Sequence, residues 1–215
     1  MKTFKVVAAV VATLVTGSAQ AGFIGTFYDT CGVQDPDTCT PVTTTMTEVE
    51  AFLATNPSPD ATFNSTGINY GGPAPYVFTD LDAFLGVDAA SLDPLAEGAT
   101  SLLGSVITLT GTIYLDPGIN VFDVFSDDGF SLIIDGIEIG SFEGLRAPSS
   151  SIINYDAGAG GLAAFELLWF EGSETQAALN VNLNGEIITA VLEPGTLALF
   201  GIGLLGLHLA RRRKV

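Results

Sequence analysis

The sequence predicts an all-β domain, a sandwich or a barrel, preceded by short helices and followed by a C-terminal transmembrane helix. Three observations predict it. Apolar and polar residues alternate at period two through the second half of the chain. Asp-Gly and Asn-Gly pairs punctuate that alternation at hairpin spacing. A continuous apolar stretch ending in four cations closes the sequence.

Taken in order, the chain opens with Lys2 and Lys5, then an apolar run from Val6 to Val15 broken only by Thr13, then Ala19-Gln20-Ala21. A positive start, an apolar core and a small-x-small triplet read as a secretory signal peptide over residues 1–21. The run is too short and wrongly flanked for a permanent span. A buried N-terminal strand would leave that three-part order unexplained. The exported domain is expected to cover residues 22–191, starting at Gly22.

Thr40 to Thr47 is a threonine-rich linker. Thr47-Glu48-Val49-Glu50 has capping-box spacing and leads into a short helix through Ala51–Ala54, ended near Asn56-Pro57. Phe63, Ile68 and Tyr70 suggest one short strand before Gly71-Gly72-Pro73, and Leu81 to Gly86 reads as another helical turn.

From Gly104 the pattern is that of strands. Ile107, Leu109, Ile113 and Leu115 alternate with Thr108, Thr110, Thr112 and Tyr114. After Pro117-Gly118 come strands at Val121–Phe125 and Phe130–Ile134, with Asp135-Gly136 turning the chain into Ile137–Ile139. Phe165–Phe170 is apolar on both faces and reads as a central strand. Leu179–Leu183 alternates, and Asn184-Gly185 turns it into Ile187-Ile188. Trp169 and the phenylalanines are most economically core. An aromatic platform for sugar stacking is the sharper alternative.

The charge distribution is lopsided. All 24 acidic residues fall between Asp29 and Glu193, where Arg146 is the only cation; the other six basic residues lie in the two terminal segments. Such a surface repels nucleic acid and anionic headgroups, so no nucleic-acid partner is expected, and it attracts divalent cations. The one histidine, His208, lies in the terminal apolar stretch, and the exported domain has no lysine. Histidine triads, histidine metal sites and Schiff-base chemistry are thereby excluded from it. Cys31 and Cys39 are the only cysteines and are expected to pair in an oxidising compartment, closing a short loop.

At the C-terminus, Thr196–Ala210 is apolar except for Thr196 and His208, and Arg211-Arg212-Arg213-Lys214 follows. The stretch is short against the roughly 17–25 residues usual for a span. The basic cluster places the C-terminus in the cytoplasm and the domain outside. Glu193-Pro194-Gly195, the Gly/Leu-rich span with Gly201, Gly203 and Gly206, and Arg211-Arg212-Arg213 occur in that order and resemble the PEP-CTERM sorting signal. Leu192 stands where the first proline of that motif normally is. The resemblance implies a Gram-negative bacterium and an exosortase that recognises the tail, residues 192–215. The precursor would be held in the inner membrane and then released to the cell surface or extracellular matrix.

A second resemblance lies in Val124-Phe125-Ser126-Asp127-Asp128-Gly129-Phe130 through Ile134-Asp135-Gly136. Strand, Ser-Asp-Asp-Gly, strand and Ile-Asp-Gly in sequence look like the signature of the protective-antigen-type (PA-fourteen) lectin-like domain. The likeness runs from about Gly104 to Leu183. It implies a β-sandwich. In calcium-dependent adhesins of this type the paired aspartates are joined by a cis peptide and ligate calcium, which then takes vicinal sugar hydroxyls. Carried over, Asp127 and Asp128 are the calcium ligands. A second loop should complete the set, and Asn154, Asp156 and Glu171-Gly172-Ser173-Glu174 are its candidates. The alternative is a structural turn in which the aspartates cap loop N–H groups. Asp35-Pro36-Asp37 lacks the pattern of an EF-hand loop and reads as a plain turn.

The expected function is that of an exported cell-surface or matrix protein that binds polysaccharide through a calcium-dependent loop, in an exopolysaccharide or biofilm context. A purely structural matrix protein is the alternative. A glycoside hydrolase ranks below both, because its two carboxylates must flank a cleft ~5–9.5 Å apart and nothing in the sequence sets up that separation. No enzyme activity is expected.

Overall fold

The computed structural model describes residues 22–31, 43–72, 74–76, 80–95, 101–172 and 176–191. The predicted signal peptide, Cys39, Asp35-Pro36-Asp37, Ser173, Glu174 and the tail from Leu192 lie outside the described residues. In chain order the elements are β1 (Phe23–Asp29), α1 (Met46–Thr55), β2 (Ala61–Ser65), β3 (Asn69–Tyr70) and α2 (Leu81–Leu85), which runs on into a 3-10 segment, Gly86–Ser91. Then follow β4 (Ser105–Leu115), β5 (Ile119–Asp127), β6 (Phe130–Ile134), β7 (Ile137–Phe142), β8 (Ser149–Asp156), β9 (Gly161–Glu171), β10 (Ala178–Leu183) and β11 (Glu186–Ile187).

The alternation predicted from Gly104 is realised in β4: Ile107, Leu109, Ile113 and Leu115 are buried, while Thr110 and Tyr114 are exposed. The strands form two antiparallel sheets. One has the order β2-β1-β4-β9-β6-β7; the other runs β11-β10-β5-β8, with β3 added on β10. Their inner faces share one core, in which Phe23, Phe27, Ile107, Leu109, Leu167 and Trp169 of the first sheet meet Phe122, Val124, Leu179 and Val181 of the second. The fold is therefore a β-sandwich.

β9 lies between β4 and β6 in the first sheet, and its two apolar faces have separate causes. Phe165, Leu167 and Trp169 enter the inter-sheet core. Leu168 and Phe170 point outward and are covered, with Tyr28 and Val106, by Met46 and Val49 of α1. Both predicted hairpin turns form, with positive φ at Asp135 (50°) and Gly136 (77°) and at Asn184 (54°) and Gly185 (90°), as the twist of tight hairpins requires.

Several local expectations need correction. The α1 cap is Thr45 rather than Thr47: its side chain accepts from the Glu48 N–H, and Glu48 Oε2 accepts from the N–H and Oγ1 of Thr44. The single strand expected around Phe63–Tyr70 is two. β2 pairs with β1, and β3 pairs with β10 in the other sheet, so the chain crosses the sandwich between them. β1 and β8 were not predicted at all. Cys31 is disulfide-bonded. At the far end Ile188 and Ala190 join the core, the Ile188 N–H donates to the Val181 carbonyl, and the Val191 N–H donates to the Thr112 carbonyl at 2.8 Å.

Candidate metal and carbohydrate site

β5 belongs to the second sheet and β6 to the first, so Asp127-Asp128-Gly129 is a corner where the chain passes between sheets. The corner is fastened on both sides. Asp127 pairs with Ala178 of β10. The Asp128 N–H donates to the Phe170 carbonyl, and the Phe170 N–H donates to the Gly129 carbonyl. Trp169, fully buried and stacked on Phe84 at 5.0 Å, sends its Nε1–H to the Asp127 carbonyl at 3.0 Å. Ser126 Oγ donates to the Asp128 carbonyl at 2.6 Å. Gly129 is required for space: a Cβ there would meet the Phe170 ring and stand 2.7 Å from the Phe142 carbonyl. The Asp127–Asp128 peptide is cis.

The side chains of the corner converge. Ligand oxygens of Asp127, Asp128 and Glu171 lie within 4.8 Å of one another, on residues only 3%, 1% and 2% exposed. Glu171 ends β9, one residue beyond the strand partner of the corner, and opposes Ser105 in register. Asp128 is held by two backbone donors: Arg146 N–H to Oδ1 at 2.8 Å and Gly172 N–H to Oδ2 at 2.9 Å. The turn alternative therefore describes part of the geometry, since this aspartate does cap loop amides. Asp127 is different. Its carboxylate is hydrogen-bonded to that of Asp128.

The electrostatics follow from that placement. Burial pushes the Asp127 carboxyl up to about 7; the charge of Asp128 and the hydrogen bond to it add to the shift, while the Arg146 charge opposes it. Burial also lowers the Arg146 guanidinium from its usual range, and the two aspartates oppose that change. A buried carboxylate pair is the setting in which a bound cation relieves the largest cost. The donor set is oxygen only, which suits a hard ion such as calcium, with six to eight oxygen ligands, over zinc or copper. The residues present fit such an ion.

Of the sequence candidates, the structure brings Asp127, Asp128 and Glu171 together. Asn154 is not among them: it sits in β8 opposite Val121, six residues up β5 from Asp127, because the β5–β8 register places it there. Asp156 accepts from the Gly158 N–H in a turn beyond the same end of β8. Two features were missed. Arg146 was noted only as a lone cation, and nothing in its local sequence announces a partner eighteen residues away. Tyr76 was not singled out. Its ring packs on Phe125 at 5.5 Å, and its carbonyl accepts from the Ala177 N–H. Ala178, next along, is the strand partner of Asp127. An aromatic pair thus borders the carboxylate corner.

A family model described as the PEP-CTERM protein-sorting motif matches residues 193–214. The chain ends in a PEP-CTERM protein-sorting motif. The match starts at Glu193, just after the divergent Leu192. Such a motif marks an exported protein. Among solved structures, the PA14 sugar-binding domain from an RTX adhesin is similar at a TM-score of 0.61 and 23% identity, covering 80% of this chain and 99% of that one. The PA14 domain of the antifreeze protein MpAFP is similar at 0.61 and 20% identity, covering 80% and 92%. These similarities establish the PA14-type fold of the domain that precedes the motif. No curated protein matches the chain.

Proposed function

We propose that residues 22–191 form a calcium-dependent carbohydrate-binding module, exported and sorted by its tail to the cell surface or to an exopolysaccharide matrix. The observation that carries this reading is the Asp127 carboxylate. It is almost fully buried and lies within 4.8 Å of two further buried carboxylate ligand atoms. Asp127, Asp128 and Glu171 would hold the ion. Calcium bound there supplies coordination positions that vicinal hydroxyls of a sugar can fill. The protein's own part is to fix the carboxylates through Trp169, Ser126 and the amides of residues 146 and 172, and to exclude water from their inner side. Tyr76 and Phe125 offer a ring face beside the corner, and a pyranose packs well on such a surface. The similar domain of the RTX adhesin is a sugar-binding domain, which supports this reading.

The test is a thermal melt of residues 22–191, which contain both sheets and the core, in calcium and in chelator. Calcium at a hundredfold excess over Kd should stabilise the wild type by ~2.7 kcal/mol. It should leave D127N/D128N unmoved, and a glycan screen should then succeed only with calcium present. Equal shifts in both proteins, or none, would leave a structural matrix component as the better description.

A further inference from the structure

We infer that Arg146 is a resident counter-cation for the carboxylate corner, which stands in for part of the metal charge when the ion is absent. The inference rests on the calcium reading above and concerns what sets the strength of that site.

Arg146 is the only lysine or arginine between Lys5 and Arg211. It comes from the β7–β8 connection and crosses to the end of β5. Its Nε–H donates to the Ser126 carbonyl at 3.1 Å, Nη2 to Ser126 Oγ at 2.7 Å, and Nη1 to Ser151 Oγ at 2.8 Å. The guanidinium also lies over the Phe142 ring, 4.4 Å from its centroid. Among the described residues, every side-chain hydrogen bond of Arg146 therefore goes to a backbone or hydroxyl oxygen. None uses a carboxylate of the corner; only the backbone N–H of Arg146 reaches Asp128. The positive charge is fixed nearby while the acidic oxygens keep lone pairs for another ligand. This separates the side chain from an ordinary salt bridge, which would occupy the same oxygens.

The charge balance points the same way. Asp127, Asp128 and Glu171, when ionised, bring three negative charges, and one guanidinium leaves two. One divalent ion matches that remainder. A planar, permanently charged fork held by fixed acceptors suits the task better than lysine, whose mobile ammonium would reach a carboxylate directly. The cost of the arrangement is repulsion between guanidinium and metal. Arg146 thus stabilises the ion-free domain and weakens calcium binding at once, two effects of opposite sign that a packing role alone does not produce.

Residues 22–191 as wild type, R146Q and R146K would be melted in chelator and in saturating calcium, and calcium affinity measured by calorimetric titration. R146Q should melt below wild type in chelator, and saturating calcium should narrow that gap by the amount its tighter binding supplies. Its calcium Kd should be about threefold tighter or more, the scale of one charge a few ångströms from a divalent ion in a screened site. R146K, which keeps the charge, should recover most of the loss in chelator. Equal losses in chelator and in calcium, or weaker calcium binding by R146Q, would overturn the inference in favour of packing. Should R146Q not fold, R146K decides: it should bind calcium no more tightly than wild type, and tighter binding would overturn the charge role. A wild type that shows no calcium response at all overturns the calcium reading itself, a result distinct from any pattern among the variants.

Discussion

Asp127-Asp128-Gly129 and Asp135-Gly136 bracket the same strand, β6, and both put an acidic residue before glycine. Their environments diverge. Asp135 is exposed, and its carboxylate accepts the Ala164 N–H at 2.8 Å across the sheet. Asp127 and Asp128 are buried at a corner between sheets. The glycines differ too. Gly136 has φ of +77° and open space around it, so it is there for conformation. Gly129 has no such φ, but Phe170 and the Phe142 carbonyl crowd its Cβ position, so it is there for room. A plain hairpin turn needs a backbone shape; a buried corner between sheets needs close approach of other chain segments.

Three substitutions sharpen this contrast. The largest effect is expected at the crowded glycine. Gly129→Ala should destabilise by about 3 kcal/mol or more, because the obstacle is backbone as well as a ring; a denaturant midpoint close to wild type would remove the claim that this glycine is steric. Next comes Asp127. Its carboxyl is raised from the usual 3.8 to about 7 in the folded state. Between those values the folded chain holds a proton that the unfolded chain has lost, so stability without calcium falls as pH rises. Wild type in chelator should lose about 2 kcal/mol between roughly pH 5 and 8. Asp127→Asn should flatten that slope and melt higher than wild type at the alkaline end; parallel profiles would show that burial of this carboxylate costs little. The smallest effect is expected at the open turn, where Gly136→Ala should cost about 1 kcal/mol through its positive φ alone and leave any calcium response intact.

Much of the fold was legible. The alternation in β4, the two hairpin turns and the doubly apolar β9 each followed from local pattern, since period-two burial and turn chemistry act within a few residues. What escaped needed distant partners. β1 follows directly on the predicted cleavage triplet, and its Phe23 and Phe27 acquire meaning only once β2 and β4 flank them. β8 begins with three serines, and its solvent-facing Ile152 masks the usual polarity rule. At the site, Asp127 and Asp128 stood out because their signature is contiguous. Glu171 was one of several candidates, because the sequence does not reveal that β9 ends against that corner. Asn154 was a candidate for the same reason, and the β5–β8 register carries it away.

The hydrogen bond from Val191 to Thr112 has a mechanical consequence for a precursor held in the membrane as proposed. It fastens the last described residue into the first sheet, only five residues before Thr196, where the predicted span begins. Even fully extended, five residues reach at most about 18 Å. On the proposed sorting route, the sandwich would ride on a short leash, close to the bilayer and with little freedom to turn. A protease acting on that leash would have to work in a narrow gap, or first pull the end of the chain out of the sheet.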